Sequence, residues 1–223
     1  MGLFYGFKTD GIVQEGEDAP GIAASGGRAK PGDVRYLDVN GNGTIDDDDR
    51  TIIGNPNADF TYAFNTSFRW KKLSLNIGFN GSYGNDIYNA NNYTEFNTSQ
   101  SGSRPYNIRR EAFLYAWTPD NTDTVFPRLG YTDEFISDRY VEDGSFLRLA
   151  NVSLSYKFSF KNKKSALRGL DVGVSAGNLY VWTTYSEWDP DVNSFGSNIK
   201  QMGIDMGSYP SARTFSADIK FTF

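Results

Sequence analysis

Residues 60–83 read FTYAFNTSFRWKKLSLNIGFNGSY and carry the clearest pattern in the chain. From residue 60 to residue 70 the even positions are large and apolar except for Thr66, while the odd positions are mostly small and polar. After Lys71 and Lys72 the apolar positions are the odd ones, starting at Leu73. A period of two is that of a β-strand, so the segment predicts a hairpin with one apolar face and one polar face.

The length of these two arms favours a membrane strand over a soluble one. Each arm has 11 residues, against about 5 to 6 in a typical strand and roughly 9 to 11 in a tilted strand that crosses a bilayer. An outside that faces lipid and a polar lumen would explain both faces, with aromatic girdles at the strand ends. For this hairpin alone an ordinary β-sandwich sheet remains the alternative, because alternating strands are common in soluble β proteins.

Further strands and long connections extend the pattern along the chain. Strands are predicted near residues 3–13, 60–70, 73–83, 146–160, 170–180 and 213–223, with long connections at 14–59, 84–144 and 181–212. The second connection contains NIRREAFLYAW at residues 107–117, which predicts one short helix. Long connections alternate with short turns at 71–72 and 161–169, as extracellular loops alternate with periplasmic turns in outer-membrane barrels. The predicted fold class is therefore all-β, an antiparallel transmembrane β-barrel segment.

Six strands cannot close such a barrel, because the smallest examples have about eight. Open sheet edges are costly in lipid, where each unpaired backbone group costs several kcal/mol. The first residues, MGLFYGFKTDG, also lack the basic start and apolar core of a signal peptide. We therefore expect the missing strands to come from a longer protein.

Composition excludes several classes of function. The chain has no Cys and no His, which removes disulfides, thiolate zinc sites and the commonest general base. Its net charge of −5 gives no support for nucleic-acid binding. Asp189 and Asp191 are a carboxylate pair, but they sit in one tight proline turn with no opposing acid, so no glycosidase and no other enzyme is predicted.

Several segments resemble one family in order along essentially the whole chain. They are GLFYGFKTDGIVQ near the start, PGDVRYLDVNGNGTIDDDDRTIIGNPNADFTYAFN, GSYGNDIYN, NLYVWTTYSEWDPDVN and the closing MGIDMGSYPSARTFSADIKFTF. Together they resemble the C-terminal part of SusC/RagA-type TonB-dependent transporters of the Bacteroidetes outer membrane.

The resemblance implies a 22-stranded barrel around an N-terminal plug, of which this chain would supply about six strands and no plug. It further implies contact with outer-membrane lipid, a SusD-like surface lipoprotein as partner, and import of oligosaccharides or peptides with energy relayed by TonB through the missing N-terminal part. A secreted or surface calcium-binding β adhesion domain is the alternative function.

One acidic segment, DVNGNGTIDDDD from residue 38, has the spacing of a calcium loop. The predicted Ca²⁺ ligands occupy loop positions 1, 3, 5, 7, 9 and 12, and they are Asp38, Asn40, Asn42, Thr44, Asp46 and Asp49. Gly43 stands at the sharp turn and Ile45 is placed to anchor the loop. Because position 12 is Asp and the flanks look extended, the segment resembles the single calcium loops of dockerin type rather than an EF-hand. A solvated loop of Asx turns is the alternative.

Aromatic residues in the third connection are candidates for contact with a ligand or partner. Trp182, Tyr185 and Trp188 lie within seven positions of one another. Such side chains stack on sugar rings or bury against a protein surface. Local packing within the loop is the alternative.

Overall fold

The computed structural model describes residues 2–22, 27–98, 107–133, 135–160, 166–192, 194–196, 198 and 201–223. The chain divides into two compact units, and each is assembled from three separate stretches. The sheet unit comprises Ala58–Asn85, Asp143–Asp191 and Tyr209–Phe223, and the loop unit comprises Met1–Asn57, Asp86–Glu142 and Val192–Ser208. Within the described ranges, no helix is long and apolar enough to cross a membrane.

Short strands dominate the loop unit and long strands the sheet unit. The strands are β1 (Phe4–Gly6), β2 (Thr9–Ile12), β3 (Val34–Tyr36), β4 (Thr51–Gly54), β5 (Phe60–Trp70), β6 (Leu73–Tyr83), β7 (Asp86–Asn89), β8 (Val141–Asp143), β9 (Phe146–Ser159), β10 (Gly169–Thr183), β11 (Ile204–Asp205) and β12 (Thr214–Thr222). The helices are α1 (Ala90–Glu95), α2 (Arg110–Leu114) and the 3-10 turns Asp47–Asp49 and Asp138–Tyr140.

The sheet unit is one antiparallel sheet in the order β12-β10-β9-β6-β5, so spatial order follows chain order. The hairpin of β5 and β6 has the predicted register, with Phe60 opposite Tyr83 and Trp70 opposite Leu73. Its two-residue turn holds Lys71 at a φ of 54°, a conformation that favours glycine. The strands β5 and β12 are the two edges of the described sheet.

Apolar and polar side chains are segregated to opposite faces in register across all five strands. One apolar row consists of Phe68, Leu75, Leu154, Val174 and Ala217. The adjacent polar row consists of Ser67, Asn76, Ser153, Ser175 and Ser216. Within that polar row the Ser67 hydroxyl donates to Oδ1 of Asn76 at 2.7 Å, and the Asn76 amide donates to Ser153 Oγ at 3.0 Å. The polar face is thus joined across strands by side-chain hydrogen bonds as well as by the backbone ladder.

A β-bulge keeps the two faces separate where the sequence loses its alternation. On β6 Gly78 pairs with Asn151 but the next residue, Phe79, pairs with Leu149, so β9 carries one extra residue at Ala150. The neighbouring strand β10 also shifts its register at this level, after Gly177. Because the bulge adds one residue to β9, the apolar side chains lie at odd positions before Ala150 and at even positions after it, all on the same face. Leu149 therefore joins the apolar face even though its position parity differs from that of Leu154 further along β9.

The described part of the loop unit contains two hydrophobic clusters and three small sheets. The sheets pair β1 with β4, β2 with β3, and β7 with both β8 and β11. The first cluster consists of Phe7, Ile12, Val34, Tyr36, Ile45, Trp117 and Tyr131, and the second is centred on Phe4, Tyr88 and Tyr140.

The buried carboxylate of Asp133, which is 2% exposed, links these two clusters. It accepts hydrogen bonds from the hydroxyl of Tyr36 and, at 2.7 Å, from that of Tyr140. Burial and the adjacent Asp133 charge raise the pKa of both tyrosines above its usual range. Both hydroxyls therefore stay protonated and available as donors.

The prediction of a long strand near residues 3–13 is wrong. The structure has the short strands β1 and β2 there, and both belong to small sheets of the loop unit. Phe4 and Phe7 are buried in different clusters, and Gly11 adopts a φ of 76°, so a regular two-sided strand cannot form. The described sheet accordingly has five long strands rather than six.

The other predicted bounds hold with small changes. The helix expected over 107–117 is limited to α2, and a second short helix, α1, went unpredicted. The strand expected at 170–180 extends over Gly169–Thr183. Of the predicted turn at 161–169, residues 161–165 lie outside the described residues.

Candidate functional site

The predicted calcium loop is closed by hydrogen bonds from its own backbone. The carboxylate of Asp38 accepts the N–H groups of Gly41, Asn42 and Gly43 at 2.6, 3.2 and 2.7 Å. The hydrogen bond from Gly43 is the largest of the effects that lower the pKa of Asp38 below its usual range. Asp38 is thus ionised and directed into the loop at loop position 1.

Asp49, at loop position 12, is fully buried and closes the other end. Its Oδ1 accepts the N–H groups of Val39 and Asn40 at 2.8 and 3.2 Å, and its Oδ2 accepts that of Asp46 at 2.9 Å. Asp46 in turn accepts the Asp48 N–H, so that Asp46 and Asp49 form a capping box on the 3-10 turn. The short side chain at position 12 therefore has a structural role in holding the two ends of the loop together.

The core and the neighbouring strands anchor this loop. Ile45 is 1% exposed and belongs to the first hydrophobic cluster. The flanking segments are the strands β3 and β4, which agrees with the expectation of extended flanks. In the described part of the chain no group of three or more carboxylates comes together to hold a metal ion. A calcium ion here would accordingly need the amide oxygens of Asn40 and Asn42 and backbone carbonyls in addition to the carboxylates.

The three predicted aromatic contact residues do not form one site. Trp182 belongs to β10 rather than to a loop; it lies opposite Leu147 on the apolar face, with its ring 4.8 Å from that of Tyr180. Tyr185 is buried at 5% exposure, while Trp188 is exposed at 82%. Trp188 is thus the most exposed of the three predicted contact residues. The predicted strand ended at residue 180, whereas β10 continues to Thr183 and includes Trp182.

Sequence reasoning missed a buried ion pair between Arg148 and Asp189 that fixes the turn containing Trp188. Nη2 of Arg148 lies 2.7 Å from Oδ1 of Asp189, and the two residues are 3% and 7% exposed. Asp189 also accepts the N–H groups of Asp191 and Ser211 at 3.0 and 2.9 Å. Burial acts to raise the pKa of Asp189, but these N–H groups and the guanidinium outweigh it and lower the pKa below its usual range. The available signal was an arginine at an even position of the predicted strand 146–160, in step with its apolar residues.

A further candidate surface in the sheet unit is its apolar face. Among its exposed members are Phe64 at 60%, Phe68 at 61%, Val174 at 52% and Ile219 at 62%. Monomeric soluble proteins rarely expose a contiguous apolar surface of this extent. In register across five strands, this surface matches the outward band of a membrane barrel.

Comparison with known proteins agrees with this geometry, although no family model matches the chain. It is 36% identical to TonB-dependent receptor P3 of Formosa agariphila over 229 aligned residues, covering 100% of this chain and 22% of that protein. It is 28% identical to TonB-dependent receptor SusC of Bacteroides thetaiotaomicron, over 87% of this chain and 18% of SusC. The solved structure of the RagAB peptide transporter superposes on 99% of this chain with a TM-score of 0.77 and 25% identity.

The chain belongs to the TonB-dependent receptors of the SusC/RagA type. Receptors of this type are outer-membrane proteins of the Bacteroidetes, which confirms the predicted location and the β-barrel fold class. The relatives are receptors rather than enzymes, in agreement with the sequence-based expectation. The chain spans about a fifth of the length of the curated relatives that it matches, namely 22% of receptor P3 and 18% of SusC.

Proposed function

We propose that this receptor segment is part of the wall and outer loops of a TonB-dependent importer. The observation that carries the proposal is the apolar face, which runs in register through β5, β6, β9, β10 and β12. Such a face has a stable environment in lipid, while the serine and asparagine rows opposite suit a hydrated lumen. The edge strands β5 and β12 would pair with further strands of the complete barrel.

The partners and cargo are proposed from the family. A SusD-like surface lipoprotein would bind the outer loops, and TonB would relay energy through a part of the receptor outside this chain. Oligosaccharides or peptides would be the cargo, since the similar RagAB is a peptide transporter. Trp188 is the best placed of the predicted contact residues, because it is exposed on a turn held by the Arg148–Asp189 pair.

The test of the proposed function uses the full-length receptor in its own cell. We expect it to fractionate with the outer membrane, to require detergent for extraction and to change its gel mobility on boiling, as folded barrels do. A tagged receptor should copurify with a surface lipoprotein, and deletion of the receptor or of TonB should abolish uptake of the same oligosaccharide or peptide. A full-length protein that stays folded and monomeric in buffer without detergent would contradict the importer and favour the adhesion domain.

We also propose that the loop of residues 38–49 binds Ca²⁺. The spacing of its oxygen-bearing side chains and the orientation of Asp38 into the loop support this. A divalent ion would reduce the repulsion among the four consecutive carboxylates at 46–49. Its function would be to stabilise the loop unit.

The calcium proposal predicts a rise in the thermal unfolding temperature of the full-length receptor when Ca²⁺ is added. The double substitution Asp38→Ala and Asp49→Ala should abolish that rise, whereas Asp47→Ala should retain it. Asp47 is an exposed residue of the same loop that pairs with Arg50 and is not among the predicted ligands. If the unsubstituted receptor shows no dependence on Ca²⁺ by differential scanning calorimetry, the proposal is wrong.

A further inference from the structure

A cavity of about 280 Å³ lies within the loop unit, beside the first hydrophobic cluster. Val34 and Tyr36, both at most 3% exposed, form part of its lining and belong to that cluster. Further lining residues carry charge, and they are Arg28, Lys30, Asp33 and Arg128. The cavity thus combines a rigid apolar wall with several polar groups, as small-molecule sites do.

The charged side chains of the cavity leave an excess of positive charge. Arg28 pairs with Asp18, but both side chains are about three-quarters exposed, at 75% and 73%, so the pair is weak. Both carboxylate oxygens of Asp33 are occupied, one by Nε of Arg128 at 2.8 Å and the other by the Lys30 N–H at 2.9 Å. The ammonium group of Lys30 has no carboxylate within 4.0 Å among the residues that the structure describes. An anion in the cavity would therefore find an uncompensated charge.

Arg128 is held in place before any ligand arrives. Its backbone N–H donates to the Gly32 carbonyl at 2.7 Å, and its Nε is fixed by Asp33. Gly32 has a φ of 86°, and a Cβ there would lie 2.7 Å from Cβ of Arg128 and 2.6 Å from the Trp117 ring. Because residue 32 is a glycine, the aliphatic stem of Arg128 lies directly against its backbone.

The outer edge of the Arg128 guanidinium remains open. Nε is the group that donates within the described structure, and no described residue accepts from the two Nη amino groups. Parallel donors of this kind bind carboxylates in a two-point arrangement. The hydroxyl of Thr132, another lining residue, is a further available donor.

We propose that this cavity is a binding site for a small carboxylate ligand, with Lys30 and Arg128 as its charge-recognising residues. The volume limits the ligand to about the size of one sugar ring or a dipeptide, below the roughly 300–1,000 Å³ of larger ligand sites. A carboxylate of that size has two sources, an acidic sugar and the C-terminus of a peptide. The proposal goes beyond the proposed function, because carboxylate binding can be measured without import.

The experiment is isothermal titration calorimetry on the full-length receptor in detergent micelles at low salt, with two pairs of probes. Galacturonate is compared with galactose, and N-acetyl-dialanine with its C-terminal amide. We expect the charged member of at least one pair to bind and its neutral counterpart to bind at least about tenfold more weakly, a difference of about 1.4 kcal/mol. The pair that shows this difference identifies the source of the carboxylate.

Variants assign the binding to the cavity. Lys30→Gln should weaken carboxylate binding by about tenfold, and it leaves no partner unpaired because Lys30 has no carboxylate partner in the described structure. Arg128→Gln should weaken binding further, and Arg128→Lys should restore it only in part because it lacks the planar fork. Lys8→Gln is the matched control, since it removes one positive charge from the loop unit at a residue outside the lining.

Two results would overturn the proposal. One is equal binding of charged and neutral probes in both pairs, including no binding of either. The other is carboxylate binding that Lys30→Gln and Lys8→Gln leave equally unchanged. Failure of either kind would leave outer-membrane location and import unaffected, because those are measured separately in cells.

Discussion

Arg148 shows how one buried charge can determine the position of a loop residue well away from it. It lies on the polar face of β9, opposite Asn80 and Val181, and its guanidinium holds Asp189. Between that aspartate and the buried Tyr185 the turn exposes Trp188 at 82%. Trp188 is thus exposed because the residues on either side of it, Tyr185 and Asp189, are both buried.

Replacing Arg148 by Met should release this turn. The substitution leaves Asp189 buried with backbone donors but no counter-charge, and breaking a buried pair typically costs about 3–5 kcal/mol. We expect a lower thermal unfolding temperature of the full-length receptor and faster proteolysis between residues 185 and 191. Arg213→Met, at an exposed arginine of the same unit, should change neither. Equal proteolysis of both variants would contradict the assigned role of Arg148.

Acid should loosen the same turn. The folded-state pKa of Asp189 is lowered, so its contribution to stability is fully present above the ordinary aspartate pKa of about 3.9 and is lost as the pH falls through the lower folded value. Proteolysis of this turn by an acid-active protease should therefore increase below about pH 4. In Asp189→Asn the rate should be high already at neutral pH and should depend less on pH. A wild-type rate that is constant down to pH 2 would contradict this.

At the scale of the strand, Tyr62 and Gly81 form a pair that tolerates little change. The Tyr62 hydroxyl donates to the Phe146 carbonyl at 2.9 Å, and its ring crosses over Gly81. A Cβ at residue 81 would lie 2.3 Å from the Phe146 carbonyl oxygen and 2.5 Å from Cζ of Tyr62. Glycine is required here because an aromatic ring covers the position.

Gly81→Ala should destabilise the sheet by about 1–3 kcal/mol, since a methyl group would overlap both the ring and a neighbouring backbone. Gly169→Ala provides a control in the same sheet, where the closest atom to a new Cβ is 3.3 Å away. Urea unfolding of the full-length receptor in lipid vesicles measures both. An equal midpoint for the two variants would show that the Tyr62 contact does not constrain residue 81.

Period-two alternation predicted β5 and β6 to the residue, because every position in them keeps its face. It failed at 3–13, where burial of Phe4 and Phe7 in separate clusters replaces a two-sided strand. It also ended β10 at residue 180, whereas Trp182 keeps the even parity of Val174 and the strand runs on to Thr183 past the register shift after Gly177. The Arg148–Asp189 pair joins residues 41 positions apart, and no local pattern reports such a contact. The sequence alone predicted the spacing of the oxygen-bearing residues in the calcium loop. It could not predict the structural role of Asp49, because that role depends on the burial of its side chain.

For the whole molecule, the two faces of the sheet should respond differently to the same charge. Val152 lies midway along β9 on the apolar face, opposite Ile77 and Ala176. Val152→Arg should cost about 2–4 kcal/mol, the range for a charge at the bilayer midplane. Ser153→Arg, one residue along on the polar face, should cost about 1 kcal/mol or less for the loss of one hydrogen bond. Folding yield in lipid vesicles compares them, and equal yields would contradict the assignment of lipid to the apolar face.

The division of the chain into interleaved stretches also sets an order of assembly. The five long strands pair in their order along the chain, and the hairpin of β5 and β6 needs only a two-residue turn, so it is the most local contact of the sheet. The loop unit, by contrast, needs β11 at residues 204–205 to pair with β7 at residues 86–89. That pairing closes a loop of more than a hundred residues and has to wait until β9 and β10 have been synthesised. The loop unit should therefore become resistant to protease later during biogenesis than the hairpin of β5 and β6.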